Sequence, residues 1–113
     1  MSYAEKLEFI ENLGWKVYET WANRDFYALE GMSSKFYLVE HNGSWSIGRG
    51  DDYYYIEDPT VEEIAEYTEI AKNYFKIVME PEAHTVKELM DSVDSIDRFY
   101  KKCELAEEER FDF

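Results

Sequence analysis

The chain has one cysteine, Cys103, so no disulfide can staple it from within. Packing and backbone pairing must hold the fold. Only two prolines occur, Pro59 and Pro81, and both fall where one periodic pattern stops and another begins. The five glycines are scattered, so there is no flexible Gly-rich linker, and no GxxxxGK[ST] loop exists to cradle phosphates. No window approaches the ~20 apolar residues of a membrane span. The start, MSYAEKLEFIENLG, carries acids and no long apolar run, which fits neither a signal peptide nor an anchor. The expected compartment is the reducing cytoplasm. The two histidines, His41 and His84, stand in no HExxH or Cys/His spacing. No metal or other cofactor is expected.

The scarcest property is positive charge. Twelve Lys and Arg face 26 Asp and Glu, a formal net charge of −14. Affinity for nucleic acid comes from neutralising phosphates with cations, so direct nucleic-acid binding is not expected. Anionic membrane is disfavoured for the same reason. A basic protein partner fits the charge, with fast, salt-sensitive association.

What is present argues for a folded domain. Hydrophobic residues make up 45% and aromatics 18%, too apolar for a disordered tail. A chain of 113 residues suits a single domain, 1–113. Ser2 and Glu5 form a capping box ahead of Tyr3, Leu7, Ile10 and Leu13 at helical spacing, and Gly14 supplies a left-handed C-cap. A β region follows. WKVYETW (15–21) alternates, with Trp15, Val17 and Trp21 expected on one side and Tyr18 on the other. Asn23–Arg24–Asp25 reads as a turn, and DFYALE (25–30) and KFYLVEH (35–41) as strands. Asn42–Gly43 is a type I′ hairpin signal, returning into SWSI (44–47).

From Thr60 the period becomes helical. Thr60/Glu63 and Thr85/Glu88 are two more capping boxes. The first opens a stripe of Val61, Ile64, Thr68, Ala71, Phe75 and Val78, widened by Tyr67, Ile70, Tyr74 and Ile77. The second opens a stripe of Val86, Leu89, Met90, Val93, Ile96, Tyr100 and Cys103. The short connection predicts an antiparallel helix pair. The expected fold is therefore α+β: an N-terminal helix, a four-stranded antiparallel β-meander, and two C-terminal antiparallel helices packed on one sheet face. Residues 104–113 form an acidic C-terminal end, either a loose tail or one docked through Phe111 and Phe113.

No catalytic constellation emerges. Cys103 lies on an apolar stripe, where a small buried hydrophobe is the ordinary outcome. Arg49–Gly50–Asp51 spells RGD, a tripeptide with no secreted context here. Asp51, Asp52, Glu57 and Asp58 lack the EF-hand order. Glu57 and Asp58 also suit a helix N-terminus, where negative charge complements the dipole. Tyr53, Tyr54 and Tyr55 read as an edge strand with at least one ring facing solvent, and tyrosine makes a good interface anchor.

Charge distribution is the informative feature. Between Arg49 and Lys72 no Lys or Arg occurs, while the window holds Asp51, Asp52, Glu57, Asp58, Glu62, Glu63, Glu66 and Glu69. Glu62, Glu66 and Glu69 fall on one helix flank, about 5–6 Å apart, and Glu88, Asp91, Asp94 and Asp97 recur every three residues on the next helix. Such spacing resembles the phosphates of a nucleic-acid strand. The expected function is a small acidic, non-catalytic protein that binds and inhibits a basic nucleic-acid-binding protein or nuclease. The expected contact residues are Asp51, Asp52, Tyr53, Tyr54, Tyr55, Glu57, Asp58, Glu62, Glu66 and Glu69. Phage anti-defence proteins such as anti-CRISPRs share this general character, though no motif carries the likeness. Two alternatives stand beside it: an immunity protein neutralising a nuclease toxin, and a structural or adaptor domain that self-associates, for example as a homodimer, through aromatic sheet surface.

Overall fold

The computed structural model describes residues 2–31, 35–49 and 54–111. For Arg49, Tyr54, Tyr55, Glu107, Glu109, Arg110 and Phe111 it describes the backbone alone. The architecture is α+β, with an N-terminal helix, a five-stranded antiparallel sheet and two C-terminal helices. Residue contacts divide the chain into two compact units, Met1–Ile64 and Ala65–Phe113.

The first unit begins with α1, Tyr3–Asn12. Ser2 caps it: its Oγ accepts from the Glu5 backbone N–H at 3.2 Å and donates to the Glu5 carboxylate at 3.0 Å. Gly14 follows at φ 105°, a conformation that a side chain would strain. The sheet is a meander in the order β1 (Trp15–Trp21), β2 (Arg24–Leu29), β3 (Leu38–His41), β4 (Ser44–Arg49), β5 (Tyr54–Glu57), each strand antiparallel to the next. The expected count of four is corrected to five. Tyr54 and Tyr55 of the run that reads as an edge strand open β5, which pairs with β4 from Ser46↔Glu57 to Arg49↔Tyr54, while Tyr53 lies outside the described residues.

Both two-residue turns use positive φ at both positions, as a type I′ hairpin requires. Asn42 and Gly43 stand at 51° and 84°, as the Asn-Gly signal predicts. The β1–β2 turn, however, falls on Ala22 and Asn23, at 53° and 62°, and Arg24 already belongs to β2. Ala22 carries no turn signal, which is why the turn reads one residue late in the sequence.

One cross-strand row runs through the whole sheet: Val17, Tyr27, Leu38, Ile47 and Ile56. The last four are buried, and with Ile10, Trp15 and Trp45 they form much of this unit's core. A second finding corrects the strand reading. The β1–β2 register slips between Val17 and Glu19, so Tyr18 is an extra, bulged residue. Trp15 pairs with Leu29 and Trp21 with Arg24, positions on opposite faces of β2. Trp21 therefore does not share a side with Trp15 and Val17, because one inserted residue reverses the alternation. Trp15 is fully buried, whereas Trp21 is 63% exposed.

α2 (Val61–Met79) starts in the first unit and continues into the second. Its cap is a reciprocal box: the Thr60 N–H donates to the Glu63 carboxylate at 2.9 Å, and the Glu63 N–H to Thr60 Oγ1 at 3.1 Å. After a 3-10 turn at Pro81–Ala83, α3 spans Val86–Phe111. The acidic end is thus helical through Phe111; Phe113 lies outside the described residues. Within the second unit, Tyr67 meets Phe99 and Asn73 meets Ser92, so α2 and α3 run antiparallel. Tyr67, Thr68, Ala71, Ile77, Ser92, Ile96, Phe99, Tyr100 and Cys103 are buried. The stripe expected on α3 splits. Its C-terminal half is buried, but Val86, Leu89, Met90 and Val93 are 74, 36, 62 and 40% exposed.

Candidate functional site

Of the residues that the sequence singles out, Asp51, Asp52 and Tyr53 lie outside the described residues. Tyr54 and Tyr55 lie on the edge strand β5, opposite Arg49 and Gly48 of β4. Glu57 and Asp58 are exposed at the end of β5. Asp58 stands at φ 51° and donates its N–H to the Trp45 carbonyl at 3.0 Å. Lys6 of α1 reaches this corner. Its ammonium donates to the Pro59 carbonyl at 2.8 Å and lies 4.0 Å from the Asp58 carboxylate. This pair is solvent-facing on the Asp58 side, so it contributes little stability.

Glu62, Glu66 and Glu69 are all exposed on α2. Glu66 differs from the other two, because Lys102 of α3 donates to its carboxylate. The window that looks uncompensated in sequence is compensated at this point by a cation 36 residues on. Glu62 and Glu69 keep no such partner among the described residues, and neither do Asp94 and Asp97 of α3. Asp91 is paired to Lys87 at 3.2 Å. Beside the Glu66–Lys102 contact lies an open groove of about 270 Å³, lined by Glu66, Ile70, Ser95, Arg98, Phe99 and Lys102.

Two arrangements were not read in the sequence. The first is a carboxylate–imidazole–carboxylate ladder at the α2–α3 turn. The Nδ1–H of His84 donates to Glu88 at 2.7 Å, and its Nε2 lies 4.0 Å from Glu80. Nε2 is buried and has no hydrogen bond among the described residues. Donation from His84, first, and bonds from Thr85 hold the Glu88 carboxyl below its ordinary value of 4.5. Helical spacing gave no signal for it, because Glu80 and His84 flank the 3-10 turn and only Glu88 lies on an α-helix. The second is an aromatic corner in the first unit. Tyr27 lies 4.9 Å from Trp45, and Tyr3 stacks on Trp45 at 6.3 Å. Burial, then the nearby Tyr3, Asp25, Glu40 and Glu11, push the Tyr27 hydroxyl up to about 12. Asp25 and Glu40 are direct cross-strand partners, two like charges side by side. Trp45 Nε1 is buried without an acceptor among the described residues.

Cys103 is fully buried. His41 contacts the Asn23 carbonyl at 3.1 Å and Asn42 at 3.3 Å. Among the described residues no group of three or more His, Cys, Asp or Glu is placed to hold a metal ion, and no helix is long and apolar enough to cross a membrane. Comparison with protein-family models, with characterised proteins and with solved structures finds no match to this chain.

Proposed function

We propose that this protein is a non-catalytic inhibitor that sets carboxylates against the basic, nucleic-acid-binding surface of another protein. The observation that carries the reading is a set of exposed carboxylates left without ion pairs among the described residues. Glu69 and Asp97 each have a lysine within one helical turn, Lys72 and Lys101, yet neither closes a pair. Glu62 and Asp94 are equally unengaged. These groups face solvent and need no internal bond broken before they meet Arg or Lys. Glu66 is assigned a lesser part, because a partner must compete with Lys102 for it. Glu57, Asp58 and the Tyr54–Tyr55 edge extend the candidate contact set in the first unit. An anti-defence protein of a phage fits this description. An immunity protein uses the same contacts against a nuclease toxin.

The test is capture of basic proteins on the immobilised chain, eluted by rising salt and challenged with duplex DNA and RNA. The expected result is a nucleic-acid-binding protein released by salt and displaced by nucleic acid, since both compete for the same cations. A variant with Glu69, Asp94 and Asp97 changed to Lys should lose capture while keeping its helical circular dichroism. Capture that resists salt, or that survives the charge reversal, would sink the reading.

A further inference from the structure

Strand β1 ends the sheet, and no described strand pairs beyond it. Six of its seven residues are exposed. Trp15 is buried, but Val17, Tyr18 and Trp21 are 48, 42 and 63% exposed, so apolar side chains of this edge reach solvent on both faces. An unpaired edge with apolar side chains is a template for another strand. We propose that a second copy of this chain docks here, β1 against β1, antiparallel about a two-fold axis through Val17, joining two five-stranded sheets into one.

Three observations select a second copy as the occupant. The first is the row Val17, Tyr27, Leu38, Ile47, Ile56. It is buried everywhere except at Val17. With the axis at Val17, the two valines face each other and the row runs unbroken through both copies. The second is charge complementarity created by the bulge. Lys16 pairs with Ala28 and Glu19 with Phe26, so Lys16 and Glu19 share a sheet face although they are three residues apart. Counting along the ladder without Tyr18, the same axis sets Lys16 opposite Glu19 of the second copy, twice, and Trp15 opposite Thr20. No like charges meet. The third is local neutrality. The β1–β2 hairpin carries Lys16 and Arg24 against Glu19 and Asp25, two of each sign, in a chain of net charge −14. Two copies repel least where they meet here, and a basic partner finds no attraction here. The exposed stripe of α3 is the reverse case: Glu88, Asp91, Asp94 and Asp97 lie on the same helix, and self-association there would oppose like charges.

Sedimentation equilibrium on the full chain tests this. Mass should rise with concentration from 13.5 kDa to twice that value. Glu19→Lys or Lys16→Glu alone turns both cross-strand pairs repulsive and should weaken the dimer at least ~10-fold. The double swap, Lys16→Glu with Glu19→Lys, should restore it. Register is read separately by cross-linking. Opposed residues in an antiparallel pair have Cα atoms about 4.5–5.5 Å apart, within disulfide reach. Val17→Cys should therefore form a covalent dimer with oxidised glutathione, and Trp21→Cys, which the axis sets far from its counterpart, should not. All these positions are exposed, and a thermal melt of each variant checks that it folds. A monomer at every concentration, single swaps without effect, a double swap that fails to restore, or cross-linking at Trp21→Cys instead of Val17→Cys would each overturn the proposal. None of these readouts depends on the inhibitor reading, which is scored by capture and not by mass.

Discussion

Gly48 offers the sharpest test of the packing. It sits in β4, a strand paired on both sides, and opposite Tyr55. Its backbone does not demand glycine, since it is not among the glycines at positive φ. The demand comes from Tyr37. The Gly48 N–H donates to the Tyr37 carbonyl at 3.0 Å, and the Tyr37 ring covers the glycine's Cα. A Cβ placed there would lie 1.9, 2.2 and 2.4 Å from three ring carbons. Ordinary contact begins near 3.4 Å. The ring would have to move out by about 1.5 Å, a shift on the scale that overpacking in a close-packed interior resists. The ring also contacts Phe26, with centroids 6.1 Å apart, so the shift disturbs that pair as well.

Gly48→Ala should therefore cost about 2–3 kcal/mol through overpacking. The gain of alanine over glycine in a strand offsets roughly 0.5–1 kcal/mol of that. The net loss of about 2 kcal/mol corresponds to a Tm lower by roughly 10 °C in a domain of this size. All three tryptophans, Trp15, Trp21 and Trp45, lie in the first unit, so urea unfolding followed by tryptophan fluorescence reads the affected part. The control is Tyr37→Ala. In that background Gly48→Ala should be neutral or slightly stabilising, giving a coupling of about 2–3 kcal/mol. A single variant within 0.5 kcal/mol (roughly the error between independent sites) of the parent, or an equal penalty in both backgrounds, refutes the ring-over-glycine argument.

Ala22 stands in the left-handed region at φ 53°, where a Cβ is unfavourable, so Ala22→Gly should stabilise by about 0.5–1 kcal/mol in the same urea assay; a loss of stability would contradict the turn geometry. Tyr27 holds its proton more tightly folded than unfolded. Its contribution is therefore complete below pH 10 and lost as pH rises toward about 12. Absorbance titration should place Tyr27 among the late tyrosines, beside Tyr3, whose proton burial also holds, and Tyr27→Phe should remove one late ionisation and reduce the alkaline loss of stability. Glu88 has the opposite sign. Its pKa is lowered in the folded state, so its contribution is full above 4.5 and lost as pH falls through the lower folded value. His84→Ala should raise the pH at which helical circular dichroism is lost in acid, and an unchanged acid midpoint would exclude the ladder as its cause.

Features encoded within a few residues were legible in the sequence. Ser2, Thr60 and Thr85 each cap a helix as the capping-box pattern predicts, and Asn42–Gly43 turns the chain as expected. What failed depends on a missing local mark or on distance. The bulge at Tyr18 leaves no trace in WKVYETW, because its cause is the pairing with β2. The α3 period gives the direction of the apolar face but not how much of it is covered. Ile96 and Cys103 are therefore buried while Val86 and Met90, on the same stripe, are not. The acidic flank was legible as charge, but the engagement of Glu66 by Lys102 was not, since no periodicity links positions 36 apart.

The unpaired carboxylates set stability against function, and that opposition is measurable. Asp94 and Asp97 are one turn apart on α3, exposed and without ion pairs among the described residues. Like charges at this spacing cost an isolated helix about 0.2–0.5 kcal/mol. A domain of net charge −14 adds a diffuse repulsion to that cost. Asp94→Asn with Asp97→Asn should consequently raise the Tm by a degree or two, roughly 0.3–0.5 kcal/mol, at low ionic strength. Salt should erase the gain, because added ions screen the parent's repulsion as well. If the aspartates serve a basic partner, the same variant must bind that partner more weakly, so stability and affinity move in opposite directions. If they serve only the helix, removing them should lower stability and leave binding unchanged. A variant less stable than its parent at low salt would therefore count against the inhibitor reading even before a partner is in hand.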